Sequence, residues 1–493
     1  MLDRRARAAG CQLALALCLA ASAVRAEPVL VAGPEPGPDR PPAGASLLDE
    51  VFPDGLTFPF ESVLDRLRGI AGEANVQTAL IPLGRSLQRY AASPDFFGSP
   101  RLVVAVTGDA AAGPGVPRLA DRLFLGYQPA AEVIEAISYN ADAGRFEFQE
   151  IVGYGEATAV ASQPAERRVC LVCHQGQGPI FARPLWTETN ANPPVAARLA
   201  PLGASFHGAP VAQTVDGLEA LDAATDRAAR IPLADRLWSE ACADTACRAA
   251  LLAAALRVGL GATAPAAPPS FDARTAALWP DGLGAISQDL PNRDPLLTWS
   301  DGEDLETAGR LNPETPRETL VLWRPGPDGF AAAAREIAGQ LTPGDLRWID
   351  LALRETRGPG TTLALPCTST EARLPTGSRE TRFACSARDN RLSGFRSTDG
   401  SGRIEALALA GQPPTPPFPL PAAGPPSART ADGSRIEVLT IGHDAADLRL
   451  VDDLAVLDRR LAAARDAPTL ATGPFPRTAV LTLLAELLGD TDG

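Results

Sequence analysis

The chain of 493 residues contains no lysine, one methionine and three histidines. All 45 of its cationic side chains are therefore arginine, a bias for which GC-rich codon usage is the simplest account, and lysine drops out of any metal-ligand set. So few histidines leave little room for Ser-His-Asp chemistry, and neither a G-x-S-x-G elbow nor an H-E-x-x-H pair occurs. Base is outnumbered by acid, 45 against 59, for a formal charge of −14. That balance argues against nucleic acid and anionic membrane surfaces as partners and leaves a basic docking face as the compatible one. Long apolar runs are also missing. Residues 13–23 are too few to span a bilayer, and Arg248 and Arg257 bracket the Ala/Leu-rich stretch between them. There is no repeat of fixed period. Gly259-Leu260-Gly261-Ala262-Thr263-Ala264 follows a helical pattern where a dinucleotide loop would follow a strand, and Asp399-Gly400-Ser401-Gly402 has too few carboxylates for a calcium loop.

What is present begins with a leader. Arg4, Arg5 and Arg7 precede the apolar run 13–23, and Val24-Arg25-Ala26 supplies a small-residue cleavage site, so residues 1–26 read as a signal peptide and the mature chain is expected to start at Glu27. Cys18 follows Leu17 where a lipoprotein would carry a small residue, so export to the periplasm without an anchor is the expectation. Losing the leader takes four Arg and one Asp and moves the charge to about −17.

Cys170-Leu171-Val172-Cys173-His174 is a C-x-x-C-H run. With eight cysteines and three histidines, chance would produce one in roughly a thousand chains of this composition, so coincidence is a poor account. Two thiols three positions apart share one helical turn, where each can form a thioether to one of two neighbouring haem vinyl groups, and the next residue is held beneath the iron as its proximal ligand. A thioredoxin-type dithiol would open a helix directly after a strand, whereas Pro164-Ala165-Glu166-Arg167-Arg168-Val169 already starts one. Half a zinc site would need a second pair, and Cys242 with Cys247 has the wrong spacing.

The expected fold class is α+β. Residues 27–46, with six prolines up to Ala45, read as a flexible lead-in. In an α/β N-terminal region, 47–155, helices are predicted at 60–71 and 77–90 and strands at 102–106, 123–127, 132–139 and 146–154, a small antiparallel sheet. A mainly helical region, 156–360, has helical signals at 231–249, 251–260 and 345–357. Phe181 and Trp186 after the motif suit either the face of a flat ligand or ordinary core. Residues 361–493 read as a β-rich module with two closing helices, 447–464 and 478–488.

Through Cys170, Cys173 and His174, and more faintly Gly178-Pro179, the chain resembles monohaem c-type cytochromes. The resemblance covers a small part of the sequence. It implies one covalently bound haem c, Cys170 and Cys173 as thioether anchors, His174 as the iron ligand, a cytochrome c-like character for 156–360, maturation in the periplasm and single-electron transfer with a redox partner. Met1 leaves with the signal peptide, so the usual His/Met ligation is excluded. His207, His443, another thiol, a tyrosine, an amide or an open position remain for the other side of the iron. An open iron would suit a haem enzyme or a small-ligand sensor, and a purely structural haem would suit an interaction protein of the envelope. In an oxidising compartment the even remainder Cys242, Cys247, Cys367 and Cys385 suggests two disulfides, most simply 242–247 and 367–385.

Overall fold

A computed structural model describes residues 27–33, 37–109, 116–155, 159–183, 188–291, 314–355, 360–375, 377–398, 401–420, 426–471 and 473–489. Residues 1–26, expected to be a signal peptide, lie outside the described residues, as do Trp186 and Asp399-Gly400.

Six strands form an antiparallel sheet in chain order: Val76–Ile81, Arg101–Val106, Leu123–Gln128, Val133–Asn140, Arg145–Val152 and Gln163–Pro164. Successive side chains point to opposite faces, and here both faces are covered, so the strands read as nearly continuous apolar runs such as Leu102-Val103-Val104-Ala105-Val106. One face, with Leu80, Val104, Leu125 and Ile134, packs on the helix Phe60–Ala71 through Val63, Leu64 and Leu67. The other, with Val103, Phe124, Ile137 and Tyr139, packs on Leu218, Leu221 and Ala228 of the helix Val215–Ala229.

Part of the segment expected as a helix at 77–90 is the first strand, Val76–Ile81, paired along its length with Arg101–Val106. Ladder bonds and burial on both faces outweigh a helical spacing that the apolar residues also satisfied. The lead-in is held as well. Val29–Leu30 pairs in parallel with Leu283–Gly284, and Arg145 donates to the carbonyl of Pro38 at 2.9 Å.

A second core gathers the helices Ile231–Ser239, Thr245–Gly259, Pro269–Leu278, Gly329–Ala338 and Pro343–Glu355. The helix Thr245–Gly259 buries Leu251 through Leu256 on every side, and Ala333 and Ala334 let its neighbour approach closely. The Cys242–Cys247 disulfide marks the break before it, where Asp244 caps the amide of Cys247 at 2.8 Å. The closing helices Asp453–Ala463 and Arg477–Gly489 pack into this same core through Leu457, Leu461, Leu481 and Leu484. The first of them starts later than its sequence pattern suggested, because Ala445–Val451 is a strand and Asp452 caps the helix.

Eight strands make the C-terminal sheet, with Phe418–Pro419 and Ser427–Arg429 at its edges and Gly360–Arg373 near its middle. That long strand pairs with Ala445–Val451 over its first half and with Arg379–Ala387 over its second, the change falling between Pro366 and Cys367. One face is apolar, with Leu365, Phe383, Ile404 and Leu448 at its centre. Cys367 and Cys385 stand opposite each other in the ladder and are disulfide-bonded. Among the described residues, no helix is long and apolar enough to cross a membrane.

The molecule is thus a mixed α/β chain with two large sheets, three small ones of two or three strands, and a helical core that lies largely between the large sheets in sequence. The segment carrying the C-x-x-C-H run is one short helix, Arg167–Cys173, laid against the N-terminal sheet, and the longer helices of 156–360 follow it.

Candidate functional site

The motif helix is fixed by Arg167, a residue to which sequence reasoning gave no role. Its side chain is only 1 % exposed; Nη1 donates to the carbonyl of Phe146 at 2.8 Å and Nη2 to Oε1 of Gln177 at 3.0 Å. The guanidinium lies 5.2 Å from the ring centre of Phe148. The backbone amide of Arg167, at the open end of the helix, donates to Asp39 at 2.9 Å, so a carboxylate in the proline-rich lead-in meets one of the N–H groups a helix start leaves unsatisfied.

Cys170 and Cys173 sit one turn apart on this helix, half-buried and not bonded to each other. Burial pushes the Cys170 thiol up to about 11, with Glu135 adding to the rise, and burial raises Cys173 as well. Both are protonated at neutral pH. A redox dithiol of thioredoxin type needs a stabilised thiolate, so this environment does not suit one. A zinc site fares no better: the remaining described cysteines are bonded in pairs, and no group of three His, Cys, Asp or Glu among the described residues is placed to hold a metal ion.

His174 follows at the helix end, its amide on the carbonyl of Cys170 at 2.9 Å. Gln177, at φ +55°, turns the chain back so that His174 Nδ1 lies 2.8 Å from the carbonyl oxygen of Gly178. A carbonyl only accepts, so Nδ1 carries the proton and Nε2 presents its lone pair. Burial pushes the imidazole down to about 4; the Gly178 hydrogen bond and Glu135 act against the shift, and Arg317 and Arg101 act with it. The ring is neutral at physiological pH, the form that binds a metal.

All three residues line one cavity of about 470 Å³. The second face of the N-terminal sheet forms its floor through Val103, Phe124, Gly126, Ile137 and Phe148, while Pro179, Ile180, Phe181 and Leu290 close another side. Phe148 meets the His174 ring edge-on at 5.4 Å. Val169 of the motif helix lines the space yet is 44 % exposed, an apolar surface that a flat apolar group would cover. Two ion pairs stand in the wall beside Ser86, Gln88, Gln149, Glu150 and Glu166: Arg85 with Glu188 at 3.0 Å, and Arg101 with Glu135 at 2.5 Å. Gly126 makes the second pair feasible. It lies opposite Glu135 in the ladder, and a Cβ there would fall 2.1 Å from Nη2 of Arg101, whose guanidinium crosses the strand at that point.

The two histidines considered for the other side of the iron are elsewhere. His207 packs against Tyr127 and Phe206 at ring distances of 5.2 and 4.5 Å, and Tyr127 belongs to the sheet face turned away from the cavity. His443 is 80 % exposed in the C-terminal sheet, 2.9 Å from Asp444. Of the two aromatics after the motif, Phe181 is on the cavity. Arg101, Glu135 and Gly126 escaped sequence reasoning, although a charge at an inward position of Val133-Ile134-Glu135-Ala136-Ile137 and a glycine inside Leu123-Phe124-Leu125-Gly126-Tyr127 are both breaks in pattern that mark a close approach or a site.

Two thiols and a tautomer-fixed imidazole converging on one largely apolar cavity with a polar side fit a covalently held haem. No family model, curated protein or solved structure matches the chain.

Proposed function

We propose that this chain is an exported c-type haem protein acting in single-electron transfer. The haem would be held by thioethers to Cys170 and Cys173, with His174 Nε2 as its proximal ligand. The observation that carries this reading is the Nδ1–H of His174 on the Gly178 carbonyl at 2.8 Å, because it aims the free ring nitrogen away from that turn while both unpaired thiols share its cavity. Haem supplies a one-electron iron couple when bound.

The rest is done by the chain. Cys170 and Cys173, half-buried and not bonded to each other, would hold the group through their sulfur atoms. Arg167 holds the motif helix and the Gln177 turn in one piece, which preserves the spacing between thiols and imidazole. Phe148, Val103, Phe124 and Phe181 exclude water and lower the local dielectric, which tunes an iron potential. In this reading region 156–360 is the haem-bearing module, and it takes one wall of its pocket from the sheet of 47–155. The acidic mature chain suits a partner with a basic docking face, and covalent attachment suits a periplasmic location.

The test is expression with the native leader in a host that matures c-type cytochromes, followed by haem staining after denaturing electrophoresis and a reduced spectrum. A stained band at the mature mass is expected; an unstained, colourless protein would overturn the proposal.

A further inference from the structure

A second cavity, of about 340 Å³, lies at the seam between the helical core and the C-terminal sheet. The helix Pro343–Glu355 lines it with Leu346, Arg347, Asp350 and Arg354, which recur at the spacing of one helix side. The edge strand Ser427–Arg429 stands across from them, Arg435 of the strand Arg435–Ile441 joins it, and Gly259 and Leu260 close the wall at the end of the helix Thr245–Gly259. Acid outnumbers base along the whole chain, yet here four arginines share a space with one carboxylate.

The carboxylates within reach are spent. Asp350 accepts on Oδ1 from Nη2 of Arg429 at 2.8 Å, and on Oδ2 from Nε and Nη2 of Arg354 at 3.0 and 2.7 Å. Asp453, beneath the cavity wall, accepts from Nη1 of Arg429 at 2.5 Å and from Nε of Arg435 at 2.9 Å, while Glu437 accepts from Nη1 of Arg435 at 2.5 Å. Donors are left over. Among the described residues no acceptor meets Nε of Arg429, Nη2 of Arg435, Nη1 of Arg354, any nitrogen of Arg347 or the hydroxyl of Ser427. The side chains of Arg429 and Arg435 are only 8 and 5 % exposed, so bulk water does little for their spare N–H groups. Neither nitrogen belongs to the enclosed, unpartnered polar atoms of the fold, so each keeps a path to the cavity that its residue lines. A half-buried guanidinium N–H without an acceptor is costly, and an oxyanion that accepts from several at once relieves that cost.

We propose that this cavity binds a phosphate group, free or esterified, held by Arg347, Arg354, Arg429 and Arg435, with the Ser427 hydroxyl donating to one of its oxygens. The spare donors come from three separate elements around the space, and a tetrahedral oxyanion presents acceptors in as many directions, where a planar carboxylate presents a single fork. Leu260 and Leu346 leave an apolar side on which the body of an ester rests. Asp350 limits the affinity, since it occupies N–H groups of Arg354 and Arg429 that the ligand would otherwise use. The site shares no lining residue with the motif's cavity and stands independently of the haem.

The experiment is calorimetric titration of the full exported protein, in chloride buffer, with inorganic phosphate, phenyl phosphate and succinate. At least one of the two phosphates is expected to bind with a Kd below about 1 mM, and succinate about tenfold more weakly than it. Arg347→Gln, at the exposed rim, should weaken phosphate about tenfold, as for loss of one charge-assisted hydrogen bond, and Ser427→Ala about threefold. Asp350→Asn should strengthen it instead, a sign that a folding defect would not give. Tighter binding of phenyl phosphate would identify an ester as the ligand and tighter binding of inorganic phosphate the free ion, and either upholds the site. No heat from either phosphate up to about 10 mM would overturn the proposal. Equal affinity in wild type, Arg347→Gln and Ser427→Ala would overturn it too, as would succinate binding as tightly as phosphate.

Discussion

The two larger sheets of this molecule are both antiparallel and both follow the chain closely, yet they place their buried charge differently. In the C-terminal sheet, Leu365, Phe383, Ile404 and Leu448 fill one face and ionic residues such as Arg382, Glu380 and Glu405 stand largely on the other. Alternation there separates an apolar face from a polar one, and its most deeply buried charges, Arg429 and Arg435, pair with Asp453 of the following helix. In the N-terminal sheet both faces are covered, and charge enters one of them: Arg101 and Glu135 in the cavity, Arg167 at its edge, Asp235 against Tyr139. Burying charge is expensive unless each group is paired, and the two sheets use their pairs differently: Arg429 and Arg435 of the C-terminal sheet hold Asp453 at the start of a packed helix, whereas Arg101 and Glu135 of the N-terminal sheet line the motif's cavity.

Breaking the anchors should have the largest effect. Cys170→Ser with Cys173→Ser should abolish covalently retained haem, while Cys367→Ser with Cys385→Ser in the other sheet should leave it in place; haem staining of both variants decides. Stain surviving in the first would refute the assignment of the motif.

Next comes Arg167→Ala, which leaves the carbonyl of Phe146 and Gln177 without their buried donor. A loss of about 3 kcal/mol is expected in denaturant unfolding, with weaker haem retention. An effect below about 1 kcal/mol would mean that Arg167 is not what fixes the motif helix.

Asp235 provides a pH test. Burial raises its carboxyl to about 7, against the opposing amide of Phe475 at 2.9 Å and the charge of Arg122. The folded chain therefore binds this proton more tightly than the unfolded chain, whose carboxyl has the ordinary value of 3.8. Stability from this group is present below pH 4, is lost as pH rises toward 7, and then levels off, a change on the order of 4 kcal/mol. Asp235→Asn should flatten the profile and raise the Tm at pH 8. A wild-type profile with no decline over that window would contradict it.

In the C-terminal sheet, removing the Cys367–Cys385 bond opens a loop with a sequence separation of 18 and should cost about 3 kcal/mol on the chain-entropy account, without altering the haem spectrum. The smallest effect belongs to Arg382→Ala. That side chain is 54 % exposed where it pairs with Glu380 and Glu405, and less than about 1 kcal/mol is expected. A spectral change in either variant would mean that the two sheets communicate.

Much of this could be read before folding. The period-2 runs at 102–106 and 123–127 are strands, the helix at 60–71 is present, and both disulfides join the cysteines expected. Residues 77–90 misled because apolar side chains on a two-faced buried strand also fall at helical spacing. Asp39 and Val29–Leu30 were invisible inside a proline-rich stretch, since their partners Arg167 and Leu283–Gly284 lie more than a hundred residues away.

The sequence by itself determined the C-x-x-C-H run, the absence of lysine, the single methionine, the even cysteine count and the acidic charge, because each depends on residue identity and short spacing alone. Only the tertiary structure decided that His207 stands behind the sheet, that a glycine on one strand lets an arginine cross to a glutamate on the next, and that a sheet face forms one wall of the motif's cavity. Alternation states that a strand has two faces. Which neighbour covers each face is set by packing between segments far apart in the chain, and local spacing carries no record of that.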